Sequence, residues 1–73
     1  DNVPSVRWFE EMLEEVFLSL NVEVLDIDEE GSGCVVVEVS VEEPNGWSRY
    51  YRCLYKVKIN DSFNWHWELV RYV

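Results

Sequence analysis

The sequence predicts an α+β fold, with one N-terminal helix packed on a four-stranded antiparallel meander sheet. Three observations carry that expectation. Apolar residues recur at helical spacing over residues 5–20, the period switches to two after Asn21, and the later apolar runs are joined by only a few residues each. Seventy-three residues make a single domain spanning 1–73, at a size where folding buries only about 60% of the surface an unfolded chain exposes. Four Trp, four Tyr and three Phe offset that shortage, since each buried aromatic removes roughly 150–250 Å² from water.

In the predicted helix, "SVRWFEEMLEEVFLSL", Phe9, Met12, Leu13, Val16, Phe17 and Leu20 form one apolar stripe, with Glu10, Glu11, Glu14 and Glu15 mainly on the other side. Ser5 is the expected N-cap, with Asn2 as the alternative. "VEVLDID" reads as the first strand, "EEGSG" as a turn and "CVVVEVSVE" as the second strand. "PNG" is a hairpin signal, because its Gly tolerates positive φ. "WSRYYRCLYKVKI" is a long third strand, "NDS" a turn and "FNWHWELVRYV" the fourth strand.

Alternation assigns the faces. Val35, Val37, Val39 and Val41 share one side, as do Tyr51, Cys53, Tyr55, Val57 and Ile59, and as do Phe63, Trp65, Trp67, Leu69 and Val73. The helix stripe needs an apolar partner, so these sets turn towards it. That choice sets residue 37 opposite 53 and residue 55 opposite 67. It makes Trp65 and Trp67 core anchors and turns His66 outward. In the first strand Leu25 and Ile27 fit the core face while Val22 and Val24 fall out of phase, which predicts a bulge.

Fifteen Asp and Glu against six Lys and Arg leave a net charge of −9. Such a chain repels polyanions, so nucleic acid and anionic membrane are poor partners and a protein surface is the better one. No apolar run is long enough to span a membrane, and no signal-peptide pattern is present.

Little catalytic chemistry is legible. Cys53 points inward and Cys34 outward, so their Cβ vectors oppose and two free thiols are expected, which points to an intracellular, reducing compartment. Three Cys and His in total do not make a structural zinc site, and no cofactor is expected. Asp26, Asp28, Glu30 and Gly31 match the opening of an EF-hand loop, but Val37 stands where the bidentate Glu belongs, so the stretch reads as an acidic turn. His66 and Glu68 share a strand face as a surface pair rather than an acid–base couple. Asn60 opens an "NDS" glycosylation acceptor, which matters only for a secreted chain. The chain is therefore expected not to be an enzyme.

The face away from the helix is more informative. Arg49, Arg52, Lys56 and Lys58 fall in one strand that has no acid between Trp47 and Asn60. The expected register gathers Tyr50 opposite Tyr72, Leu54 opposite Val36, Lys56 opposite His66 and Glu38 opposite Arg52, with Val70 nearby. An apolar and aromatic centre ringed by cations marks an interaction surface. The expectation is an acidic protein-interaction domain that binds a partner, or a second copy as a homodimer, through Trp47, Tyr50, Arg52, Leu54, Val70 and Tyr72. The alternative is an acidic inhibitor, immunity protein or nucleic-acid mimic that offers Glu10, Glu11, Glu14 and Glu15 to a basic target.

A helix laid across such a meander resembles the cystatin-like architecture, shared in outline with NTF2-like domains. The resemblance is one of topology. Where cystatins carry a Gln-x-Val-x-Gly hairpin and a Pro-Trp loop, this chain has "EEGSGCVV" and "NDSFNWHW", and it lacks the further helices that enclose an NTF2-like pocket. It implies a fold and assigns no inhibitory or catalytic residue.

Overall fold

A computed structural model describes residues 3–73. Helix α1 (Val6–Phe17) is followed by β1 (Val22–Gly31), β2 (Cys34–Glu42), β3 (Ser48–Ile59) and β4 (Trp65–Tyr72). The strands form one antiparallel sheet in the order β1-β2-β3-β4, so the α+β meander expected from the sequence is the fold. Ser5 caps the helix, its Oγ accepting from Trp8 N at 3.2 Å. Asn2, the alternative cap, lies outside the described residues. The helix stops at Phe17, where Leu18 turns left-handed and its N–H donates to Glu14 O. Leu20 therefore leaves the predicted stripe and stands in solvent. No helix among the described residues is long and apolar enough to cross a membrane.

The core is a layer of side chains between α1 and one face of the sheet. Phe9 and Leu13 are wholly buried against Val35, Val37, Val39 and Cys53, with Val41 and Tyr55 closing the edges. Aromatic pairs extend it on both sides. Phe9 meets Tyr55 edge-on at 4.9 Å, and Phe17 stacks on Tyr51 at 4.4 Å and meets Tyr72 edge-on at 5.0 Å. Burial pushes the Cys53 thiol up to about 11 and the Tyr55 phenol up to about 12, the latter with a smaller contribution from Cys53. Cys34 and Cys53 are both free thiols.

The helix is too short for the sheet it covers. Twelve residues at 1.5 Å each make about 18 Å of helix, whereas twelve residues of β3 at about 3.4 Å each make about 40 Å of strand, close to the 42 Å long axis of the molecule. The distal part of the β3–β4 hairpin therefore extends past α1. This corrects the expectation for Trp65, which faces the helix side but is 64% exposed, paired across the ribbon with an exposed Ile59. Trp67, one step closer, is half-buried against the core. Phe63 does not belong to the strand. It sits in the turn at φ 59 with its ring exposed, while Asn60 Oδ1 accepts from Ser62 N and Asn64 N at 2.9 and 3.0 Å.

Three register shifts interrupt the sheet: one at Glu30, at the turn end of β1, and two bulges further in. In β1 the extra residue is Leu25, which brings Val22, Val24 and Ile27 onto the core face and leaves Leu25 exposed, reversing the expected parts of Leu25 and the two valines. In β4 the extra residue is Val70: Leu69 pairs with Tyr55, and Arg71 with Leu54. Residue 37 does lie opposite 53. Residue 55, however, faces 69 rather than 67.

Candidate protein-interaction surface

On the sheet face away from α1, β2 contributes Val36, Glu38 and Ser40, β3 contributes Tyr50, Arg52, Leu54, Lys56 and Lys58, and β4 contributes His66, Glu68, Arg71 and Val73. Pleat alternation puts these residues together, and the Val70 bulge decides which β4 residues join. Leu54 lies between Val36 and Arg71, and Arg52 lies between Glu38 and Val73. Arg52 Nε reaches Glu38 Oε2 at 3.6 Å, an exposed pair of the kind worth about 1 kcal/mol or less. Val36, Arg52, Leu54, Arg71, Tyr72 and Val73 line a shallow hollow of about 190 Å³. That is below the roughly 300–1,000 Å³ of small-molecule sites and is sized for a side chain.

Four of the six predicted binding residues hold their places on or beside this surface. Tyr50 is 70% exposed at one end, Arg52 and Leu54 are central, and Val70 flanks Leu54 as the bulged residue. Trp47 is exposed at the hairpin tip, where it lines a separate hollow with Glu43, Pro44, Asn45 and Arg49. Tyr72 borders the hollow, but its ring turns to the other face: the bulge sets it opposite Cys53, and the ring packs on Phe17 and Tyr51. Tyr50 accordingly has Ser40, not Tyr72, as its cross-strand neighbour, and Lys56 faces Glu68 while Lys58 faces His66. Arg49 has the parity of the core face and pairs with Glu43 at 2.8 Å. Arg71 and Val73 were not expected here, and no residue in "ELVRYV" signals the bulge that delivers them.

Charge is divided across this face. Asp26 and Asp28 of β1 lie on it opposite Glu38 and Val36. Asp28 also hydrogen-bonds the Glu30 carboxyl, which raises the pKa of Glu30 above the usual carboxylate value. At the other side Lys56, Lys58 and Arg71 have no carboxylate within ion-pair distance among the described residues. The acidic stretch 26–31, expected as a turn, is the end of strand β1, and no three Asp, Glu, His or Cys side chains among the described residues gather around one point. His66 Nε2 and Glu68 Oε2 lie 3.2 Å apart, both half-exposed.

The Glu-rich helix face is partly engaged. Glu10 Oε2 accepts from Val24 N at 3.0 Å, and Glu11 Oε2 holds Arg7 Nε at 3.1 Å, while Glu14 and Glu15 have no such partners among the described residues. A larger open hollow lies between the helix end and the β2–β3 turn, lined by Phe17, Leu18, Asn21, Glu42 and Glu43 among others. Its carboxylates are occupied, Glu42 by Asn21 Nδ2 and Glu43 by Arg49.

No family profile, curated protein or solved structure matches this chain. Its function is therefore argued from the surface itself.

Proposed function

We propose that this chain is a non-catalytic protein-interaction domain that takes a partner segment on its outer sheet face, around Tyr50, Arg52, Leu54 and Val70. The observation that carries this reading is the Val36–Leu54–Val73 apolar strip, with the bulged Val70 exposed next to it in the chain. Core formation does not require it, yet it lies beside Arg71 and Lys56, cations without an ion-pair partner among the described residues. Apolar centres with polar rims and Arg at hand are the usual anatomy of such sites. The matching partner segment presents an apolar side chain for the Leu54 hollow and a carboxylate for Arg71.

The test is a selection from a displayed peptide library against the full chain, with recovered peptides measured by calorimetry. Peptides that pair an apolar residue with Asp or Glu, and that lose affinity at least tenfold on Leu54→Glu while circular dichroism stays native, support the reading. Peptides that bind Leu54→Glu and wild type equally refute it.

A further inference from the structure

Among the described residues β4 borders β3 alone, and its free backbone groups can be located. Arg52 and Val73 exchange both backbone hydrogen bonds, at 3.0 and 3.1 Å, and Asn60 N donates to Asn64 O at 3.1 Å. Bonded and non-bonded pairs alternate along an antiparallel ladder. From Asn60–Asn64 the bonded pairs are therefore Lys58–His66 and Lys56–Glu68. The residues between them, Trp65, Trp67 and Leu69, turn their N–H and C=O groups away from β3, towards the open edge. Their side chains lie on the helix face, where α1 is too short to cover Trp65.

We propose that a second copy of the chain closes this edge, β4 pairing antiparallel with β4 about a two-fold axis through Trp67. In this register Trp67 faces its own counterpart, and Trp65 faces the partner's Leu69. The outward-turned residues are then the bonded pairs, and each pair exchanges two main-chain hydrogen bonds. His66 falls opposite the partner's Glu68 in a non-bonded pair, where side chains approach most closely. The contact is isologous, so the His66–Glu68 match occurs twice, and Trp65, Trp67 and Leu69 of both copies form one apolar band.

Neighbouring registers fail on the same grounds. Centring on Glu68 opposes two carboxylates across the axis, and centring on His66 opposes two imidazoles. Centring on Leu69 carries the pairing across the Val70 bulge and sets Trp67 against the partner's Arg71, which lies on the other face. The contact strand is also almost uncharged in a chain of net charge −9: β4 holds one acid, Glu68, against Arg71 and His66. This contact leaves Leu54 free, so it stands apart from the outer-face reading.

Sedimentation equilibrium of the full chain from about 1 µM to about 1 mM tests it. Wild type should form a concentration-dependent dimer. His66→Glu, which opposes two carboxylates at each of the paired sites, should raise the dimer Kd roughly fivefold to tenfold. The double variant His66→Glu/Glu68→Lys should return Kd to near wild type, and Leu54→Glu should leave it unchanged. A monomer across the whole range overturns the proposal, and so does a dimer indifferent to His66→Glu, one not rescued by the double variant, or one abolished by Leu54→Glu.

Discussion

β1 and β4 border the same sheet on opposite sides, and both face solvent along their outer backbone. They are built differently. β1 carries Glu23, Asp26, Asp28, Glu29 and Glu30, bends at the Leu25 bulge, and has its Val24 N–H capped by Glu10 from the helix above. Charge, a bulge and a covering element are the means by which proteins keep edges from pairing. β4 runs from Trp65 through Leu69 without a bulge, carries one acid, and is not capped from the helix. Its Trp65 side chain remains exposed where the helix falls short. A chain this acidic spends its charge on one edge and leaves the other bare. That difference is the ground for the proposal that another polypeptide adds at β4.

The harshest way to break this contrast is to remove the anchor of the helix. Phe9→Ala leaves a cavity under α1 and should cost about 3–5 kcal/mol in urea unfolding. Any folded fraction that remains should lose the Glu10 cap, so that β1 comes to resemble β4. Alkaline titration weakens the same core more gradually. Cys53 and Tyr55 hold their protons more tightly folded than unfolded, so the native state binds more protons above pH 9. Stability should stay level through neutral pH and fall as pH rises from about 9 towards 11 and 12, read as a declining Tm. A flat Tm across that range would place both groups in water.

Glu10→Ala acts on the β1 edge alone. It should cost about 1 kcal/mol and speed exchange of the Val24 amide, with β4 unaffected. The smallest stability effect is expected at Trp65→Lys, within about 0.5 kcal/mol, because the ring is largely in solvent. Its consequence should appear in association instead: a lysine on the bare edge should suppress the dimer measured by light scattering.

Much of this was legible in the residues. The switch from helical to alternating period gave the element order, and the Val35-Val37-Val39-Val41 run fixed the pairing of β2 with β3, including Val37 opposite Cys53. The out-of-phase valines announced the β1 bulge, though not that Leu25 would be the residue expelled. The Val70 bulge left no trace, since "ELVRYV" alternates acceptably without it. That single extra residue moved Tyr72 to the core face and brought Arg71 to the outer one. The exposure of Trp65 has a different cause. Periodicity gives the face a residue points to but not whether anything lies above it. Comparing about 18 Å of helix with about 40 Å of ribbon would have shown that something at the far end of β3–β4 had to remain uncovered.

Residue-resolved amide hydrogen exchange at low micromolar concentration tests the contrast between the edges most directly. The account predicts an alternation along β4, with fast exchange at Trp65, Trp67 and Leu69 and slow exchange at His66 and Glu68, while Val24 on the opposite edge is protected. Uniform protection along β4 in the dilute monomer, or a Val24 amide exchanging as fast as that of Trp67, would contradict it.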